Sequence, residues 1–448
     1  MKKNINKWIL ETVLLLIYKS TLEFVFMPIY FNIFAYMLNV DYNFDMNKWV
    51  ISEVLFAIMI VLLFRSFSGK DSIFSVLIVM VYDLCIIPML AVYSCVTIAK
   101  IWMIVYPFIF WVILIIMLNR FAKSDTFYSK VRIPTFGIKG TNYLILAICV
   151  LCSLVCWAWA GFPILTSLAD STSQRLALRA NAMPGLMSYI FMILGGVVMP
   201  YLFARYLSLG KKIFAFVSFG CGFLLFSING MKTWIFLYLF IIAICLVCKI
   251  STYSVEKMCI LVTGMLCVVT VGCILAYLKN GTIDFMNQFG RVVLIPNDIG
   301  FKSINFFSNH EYLYLRESIL RAFFDTPYQG GSDFYINYGA NSNINSSRSN
   351  NGLWGDAFRN FGLVGMFVFP ILFAKIFQII AENGKKQKID LQIITIFLML
   401  WNSVNISFFT WLLTGGVIVI IILEKLFKPE DSIRCDKLKN DIHDNIGG

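Results

Sequence analysis

The chain has 448 residues, of which 59% are hydrophobic and only 14% are charged. Soluble domains carry about 25% charged and roughly 45–50% apolar residues, so the composition excludes an ordinary soluble protein and predicts a polytopic membrane protein. The formal net charge of +12 would suit a nucleic-acid partner. It is equally expected when Lys and Arg collect in the cytoplasmic loops of a membrane protein, and we therefore expect no nucleic-acid partner.

Apolar stretches long enough to cross a bilayer recur along the chain. A spanning helix needs about 20 apolar residues, and by this measure we predict an all-α polytopic membrane protein with about 12 transmembrane helices. Their approximate ranges are 13–38, 49–64, 72–93, 101–118, 141–161, 184–207, 213–228, 233–248, 258–276, 357–378, 389–406 and 408–427.

The predicted helices divide the chain into four segments. Residues 1–276 contain helices 1–9 with short loops, and residues 277–356 form one large extracytoplasmic loop between helices 9 and 10. Residues 357–427 contain helices 10–12, and residues 428–448 form a tail. A long polar loop in a membrane protein usually serves recognition or chemistry, so we expect the functional residues there.

The distribution of Lys and Arg predicts the orientation. If the N-terminus is cytoplasmic, most Lys and Arg fall on the cytoplasmic side, as the positive-inside rule requires. Both termini are then cytoplasmic, and the large loop faces the periplasm or cell exterior of a bacterium. The short outer loops hold only Lys48, Lys100, Arg175, Arg179 and Lys232.

The twelve cysteines are predicted to be packing residues. Eleven fall in or beside apolar stretches, and the large loop has none. A disulfide framework is therefore not expected, and the two C-x-x-C spacings lack partner ligands for zinc.

The large loop combines aromatic rings with charged and amide side chains. Fifteen of its eighty residues are Phe, Tyr or Trp, a composition that suits the binding of sugar rings but is also found at membrane interfaces. Residues 311–324 have apolar side chains near helical spacing, which predicts an amphipathic helix at the membrane surface. Residues 330–352 are rich in Gly, Ser and Asn, which predicts an irregular segment.

Arginines on the outer side oppose the topological trend and are candidate anion ligands. Arg175 and Arg179 are four residues apart and would share one helix face, where two guanidinium groups suit a phosphate or diphosphate. Snorkelling towards lipid headgroups is the alternative. For Arg321, an ion pair with Glu317 is the alternative to anion binding. The further arginines of the loop and the next helix are Arg291, Arg316, Arg321, Arg348 and Arg359.

Candidate general bases lie in the same loop, namely His310, Glu311, Asp325, Asp333 and Asp356. A lone loop histidine is more often non-catalytic.

Within the membrane, Asp83 could belong to a proton pathway or could simply bond to a neighbouring helix. Lys19 and Glu23 are expected to neutralise each other. Asp41 and Asp45 could bind a metal ion, but no D-x-D motif is present and Lys48 lies beside them.

The chain resembles the Wzy-type O-antigen polymerases, which join oligosaccharide repeat units of bacterial surface polysaccharides. The layout matches, and two short motifs support it: NGMKTW at 229–234 and WGDAFRNFGLVG at 354–365. Some members have Arg-x10-Gly in both outer loops, whereas Arg175–Gly185 and Arg321–Gly331 are one residue shorter. The related O-antigen ligases usually carry His-Asn where this chain has Gly355-Asp356.

The resemblance implies a glycosyltransferase of the bacterial inner membrane that acts on undecaprenyl-diphosphate-linked oligosaccharide as donor and acceptor, without a metal ion or cofactor. Arg175, Arg179 and Arg291 would neutralise the leaving diphosphate, and Asp356, Asp333 or His310 would accept the proton. Membrane lipid, a chain-length regulator and a flippase are the further partners implied. An O-antigen ligase, a flippase or other transporter and a structural subunit remain alternatives. Further substrate-binding candidates are Arg316, Arg321, Arg348, Arg359 and Lys232.

Overall fold

A computed structural model describes residues 2–38, 40–67, 73–123, 141–164, 183–250, 255–318, 320–321, 323–329, 331–338, 352–384 and 387–427. These residues are almost entirely helical, and the β-structure among them is one isolated bridge between Tyr42 and Val96.

Nineteen α-helices are labelled in chain order, within the described ranges. They are α1 Lys2–Thr21, α2 Met27–Leu38, α3 Met46–Phe67, α4 Ile73–Val81, α5 Ile87–Cys95, α6 Val105–Lys123, α7 Thr141–Trp159, α8 Gly185–Ile193, α9 Met199–Ser208, α10 Lys212–Asn229, α11 Lys232–Ile250, α12 Val255–Asn280, α13 Asp284–Val293, α14 Ile295–Phe307, α15 Ser332–Tyr338, α16 Gly352–Gly384, α17 Ile389–Val404, α18 Phe408–Leu413 and α19 Val417–Leu426.

Nine helices in the described ranges are long and apolar enough to cross a membrane, judged by length and composition. Two shorter apolar helices, Lys232–Cys248 and Ile389–Val404, fall on further predicted spans. The all-α class is therefore confirmed for the described residues, and nine of their helices could cross a membrane. The count of twelve spans and the side occupied by the large loop stay predictions.

Three π-helical turns interrupt helices in the described ranges, and a proline explains each of them. The turns are Leu22–Phe26, Tyr82–Ile86 and Leu194–Val198. In each case a proline follows two residues after the last π-helical residue. Proline has no N–H for the carbonyl four residues earlier and its ring crowds that carbonyl. A wider turn relieves the crowding, and the residue before each proline donates its N–H to the carbonyl five residues earlier.

The chain forms two compact units. The first comprises residues 1–124, 253–378 and 400–411, and the second comprises residues 125–252, 379–399 and 412–448. In the first unit α1 and α4 pack along α12, α3 packs on α5, and α14 packs on α5 and α15. In the second unit α10 packs against α7 and α9, and α9 also contacts α11.

Residues 284–307, predicted as part of the polar loop, form two helices of the first unit. In α13 the buried side chains Met286, Phe289, Val292 and Val293 share one face, while Arg291 is exposed. In α14 eleven of the thirteen residues are buried. A large part of the predicted loop is therefore core.

The amphipathic helix predicted for residues 311–324 is wrong. The described residues of this segment form successive turns, with positive φ at Tyr314 and Leu315. The cause is tertiary, because backbone N–H groups here bond to α16 instead of to a helix of their own. The irregular segment predicted for 330–352 contains the short helix α15, and residues 339–351 lie outside the described part.

Candidate functional site

A kink in α16 organises the candidate site. Gly362 interrupts this helix with φ 54° and ψ −134°, a conformation that side chains with a Cβ rarely adopt. The ring of Tyr312 packs on the glycine so closely that a Cβ there would lie 2.6 Å from its Cζ and Oη atoms. Glycine thus occupies the position at which the helix is kinked and at which Tyr312 of the loop contacts the helix backbone.

The kink exposes carbonyl groups to which the loop bonds. Leu313 N–H donates to the Arg359 carbonyl at 3.0 Å, and Tyr314 N–H donates to the Asn360 carbonyl at 3.2 Å. Leu315 N–H donates to the Asn360 side-chain oxygen at 2.9 Å. These three bonds fix the segment after α14 on the turn of α16 that precedes Gly362.

Arg359 lies at the centre of a buried ion-pair cluster in the first unit. Its Nη1 donates to Asp333 Oδ1 and its Nη2 to Glu317 Oε2, each at 2.9 Å, while Nη2 also donates to Ser332 Oγ at 2.6 Å. Arg359 is 4% exposed, against 17% for Glu317 and 21% for Asp333. Glu317 in turn accepts bonds from the N–H and the hydroxyl of Ser332. The cluster therefore joins three separate parts of the chain.

The arginine is outnumbered by acids. Asp356 is a third carboxylate near enough to interact electrostatically with Arg359, besides Asp333 and Glu317. Both terminal nitrogens of Arg359 are bound by protein acceptors, so in this conformation the guanidinium orders the loop. Its predicted contact with substrate stays a prediction. The predicted pairing of Glu317 with Arg321 is replaced by the pairing of Glu317 with Arg359.

Asp356 is buried and both of its carboxylate oxygens are bound. Oδ1 accepts from Asn360 Nδ2 at 3.1 Å, and Oδ2 accepts from the backbone N–H of Phe408 at 2.9 Å. Phe408 is the first residue of α18, where N–H groups lack partners within the helix. The carboxylate therefore caps α18, and at 4% exposure little of it is accessible to a substrate in this conformation.

Aromatic rings of the loop gather in one cluster beside α15. Phe306 stacks on His310 with ring centroids 4.0 Å apart, and it also contacts Tyr328 and Tyr335. Phe306 and Tyr335 are half-buried and His310 is exposed, so part of the cluster is accessible to solvent. Asp333 lies two residues before Tyr335 on α15.

The tautomer of His310 follows from its contact. Its Nδ1 lies 2.8 Å from the Phe306 carbonyl oxygen, and because a carbonyl can only accept, Nδ1 carries the proton of the neutral ring. The Nε2 atom is then the acceptor, so His310 would act as a base through Nε2.

None of the other described site residues takes part in the hydrogen bonds of Arg359 given above. Arg316 pairs with Glu311, which is 58% exposed, across 2.6 Å. Arg291 is exposed on α13, Arg321 is exposed in the turn segment, and Lys232 begins α11 in the second unit. Arg175, Arg179 and Arg348 lie outside the described residues, so their predicted roles stay untested.

Sequence reasoning missed a buried ion pair on α14. Asp298 and Lys302 are 2.8 Å apart and at most 4% exposed, and burial raises the pKa of the Asp298 carboxyl while Lys302 lowers it. Their spacing of four residues was the available signal. On the same helix Asn297 accepts from the indole N–H of Trp354 at 3.1 Å. This bond joins the start of α16 to α14.

The structure thus brings together Asp333, Asp356 and Arg359 from the predicted set. It adds Glu317 and Ser332, which lie 42 and 27 residues from Arg359 and which no local pattern connects to it. Among the described residues, no group of three or more His, Cys, Asp or Glu side chains is arranged to hold a metal ion.

Scans of family models, of curated proteins and of solved structures each found no match to this chain. The resemblance to the polymerases of surface polysaccharides therefore rests on the layout and the short motifs alone.

Proposed function

We propose that this protein is a membrane glycosyltransferase that polymerises undecaprenyl-diphosphate-linked oligosaccharide repeat units into O-antigen or capsular polysaccharide. The observation that carries the proposal is the aromatic cluster of Phe306, His310 and Tyr335, in which Tyr335 belongs to the same short helix as Asp333. The C–H faces of sugar rings pack on aromatic faces, while carboxylates bind sugar hydroxyls. The family resemblance supplies the reaction type.

The reaction transfers a growing chain to a new unit. A terminal hydroxyl of the new lipid-linked unit attacks the anomeric carbon of the growing chain and forms a C–O bond. The bond from that carbon to the diphosphate oxygen breaks, and undecaprenyl diphosphate leaves with the electron pair. The hydroxyl proton passes to a base of the protein, as general-base catalysis requires.

The roles of the residues follow from charge and accessibility. Arg175, Arg179 and Arg291 would stabilise the negative charge that develops on the departing diphosphate. Asp333 is preferred to Asp356 as the base because its side chain is 21% exposed, whereas that of Asp356 is 4% exposed. His310 is the alternative base through Nε2. Arg359 then acts as a positioning residue that holds Asp333.

The proposed location is the inner membrane of a bacterium, with both termini cytoplasmic and residues 277–356 on the outer side. The basis is the distribution of Lys and Arg in the sequence. This side gives access to lipid-linked units once a separate flippase has moved them across the membrane.

The first test is deletion of the protein in its host, followed by gel electrophoresis of the surface polysaccharide. We expect the ladder of chain lengths to collapse to a single capped unit, and the wild-type protein to restore the ladder. Arg175→Ala, Arg291→Ala and Asp333→Asn should fail to restore it, whereas Lys100→Ala, an outer-side control, should succeed. Loss of all surface sugar with accumulation of lipid-linked units would overturn the polymerase assignment and indicate transport or ligation.

Transport is the second candidate, and one observation favours it. Glu11 and Asp83 are buried in helices of the first unit and contact the same hydroxyl, and intramembrane acids often belong to ion or proton pathways. A flippase that moves lipid-linked oligosaccharide is the form of this function that fits the polysaccharide hypothesis. The deletion phenotype above separates the two functions.

A further inference from the structure

Two acids and a threonine meet inside the first unit, far along the chain from the residues of the loop. Glu11 lies on α1, Asp83 on the π-helical turn between α4 and α5, and Thr263 on α12. Thr263 Oγ1 is 2.7 Å from Glu11 Oε1 and 3.0 Å from Asp83 Oδ2. All three side chains are at most 1% exposed.

The proton count of these contacts is informative. A threonine hydroxyl has one proton and can donate to only one of the two carboxyl groups. The hydroxyl oxygen keeps lone pairs for the second contact, so a proton on that carboxyl would complete a second hydrogen bond. Two bare carboxylates facing one hydroxyl would bring lone pairs together in a region from which water is excluded. Protonation of one acid removes this repulsion.

A tyrosine supplies an independent indication of a ligand site. Tyr18 is fully buried, and its hydroxyl has no hydrogen-bond partner among the described residues. It lies near enough to Asp83 to interact with it electrostatically. Asp83 Oδ1 and Glu11 Oε2 likewise have no partner in the described part of the chain. One buried hydroxyl and two buried carboxyl oxygens of this region are therefore without a hydrogen-bond partner in the described part of the chain.

The charged side chains of α1 bear on the charge of these acids. Lys7 lies four residues before Glu11 on α1, a spacing that permits an ion pair with Glu11. Lys19, eight residues after Glu11, is paired with Glu23 at 2.6 Å and also with Glu53, and the thiols of Cys85 and Cys267, which interact with Tyr18, carry no positive charge. One lysine balances one negative charge, so the second acid of the pair still requires a proton.

We propose that Glu11 and Asp83 form a proton-binding site, in which the two carboxyl groups share a proton through the hydroxyl of Thr263. The π-helical turn presents Asp83 towards α1 and α12, and π-turns are frequent at functional sites. Loss of the shared proton would place two negative charges between packed helices. Protonation at this site is thereby coupled to the packing of α1 and of the Asp83 turn on α12, whatever reaction the loop performs.

Labelling with dicyclohexylcarbodiimide tests this site, because the reagent modifies protonated carboxyl groups in apolar surroundings. The full-length protein in detergent is treated over a range of pH, and labelled peptides are mapped by mass spectrometry. One pKa unit changes the protonated fraction about tenfold. We expect labelling at Glu11 or Asp83 to exceed labelling at Glu23, the ion-paired control on the same stretch of helix, by about tenfold.

The dependence on pH and on the partner acid completes the test. Labelling should fall as pH rises, because the protonated form is lost. In Asp83→Asn the remaining acid should titrate in one step, whereas the wild-type pair should titrate in two coupled steps. Absence of labelling at both acids at every pH, labelling independent of pH, or equal labelling of Glu23 would overturn the proposal. The pH dependence of labelling in the wild-type protein tests the proposal even if Asp83→Asn fails to fold.

Discussion

Gly362 combines two constraints that no other residue type satisfies together. Its positive φ would strain any residue with a Cβ by about 1–3 kcal/mol, and the Tyr312 ring occupies the space that the Cβ needs. We expect Gly362→Ala to lower the melting temperature in detergent and to speed proteolysis of residues 311–329. The strain and the clash both act on the bonds that hold Leu313 and Tyr314.

The matched control for this variant is Gly272→Ala. Gly272 lies within α12, and a Cβ there would meet nothing within 4 Å. Alanine in a helix interior is favoured over glycine by about 1 kcal/mol, so this variant should melt at or above the wild-type temperature. Equal melting of Gly362→Ala and wild type would show that the kink is not required.

Arg359 illustrates how a buried charge depends on its partners. Arg359→Ala leaves Glu317 and Asp333 facing each other without a cation, and breaking such a pair costs about 3 kcal/mol when it is well buried. The partial exposure of both acids reduces the loss through solvent screening. We expect a clear fall in melting temperature, which the added substitutions Glu317→Gln and Asp333→Asn partly reverse because they remove the uncompensated charges.

Arg316→Ala is the control for the charge effect. Its partner Glu311 is 58% exposed, and surface ion pairs contribute roughly 0–1 kcal/mol. Arg316 also donates to the carbonyls of Leu313 and Tyr312, so a fall in melting temperature smaller than that of Arg359→Ala is expected. If Arg359→Ala were as mild as Arg316→Ala, or if removal of the two acids deepened the loss, the cluster would not stabilise the loop by charge pairing.

The candidate site was only partly accessible from sequence. Arg359 could be selected because arginines on the predicted outer side oppose the positive-inside trend. Asp333 and Asp356 could be selected because carboxylates can accept a proton. Their partners Glu317 and Ser332 could not, since contacts across 42 and 27 residues depend on the fold. For the same reason the capping role of Asp356 required knowledge of α18, which begins 52 residues later.

At the scale of the elements, local patterns predicted helices well and their interruptions poorly. Hydropathy located the long apolar helices, because a helix that crosses a bilayer must be apolar over about 20 residues. The proline that comes two residues after each π-turn was visible in the sequence. The π-turn that accommodates it could not be predicted from local pattern. The helix predicted at 311–324 failed because hydrogen bonds to the Arg359 and Asn360 carbonyls outweighed the apolar spacing.

The predicted loop of residues 277–356 shows the same limit. Its polar composition concealed α13 and α14, in which Asn297, Asp298 and Lys302 are buried with partners. A buried polar residue satisfied by tertiary contacts has the same sequence signature as an exposed one. Composition therefore predicted a larger accessible segment than the structure contains.

For the whole molecule, the proposed chemistry makes a prediction about metal ions. Diphosphate is a good leaving group, and guanidinium groups can stabilise its developing charge through paired hydrogen bonds. Transfer between lipid-linked units by the purified protein should therefore persist in excess chelator at the rate seen with chelator saturated by Mg²⁺. Arg291→Ala should lower this rate in both conditions, because the arginine would perform the role of the cation. Activity lost to the chelator and restored by Mg²⁺ or Mn²⁺ would instead assign that role to a metal.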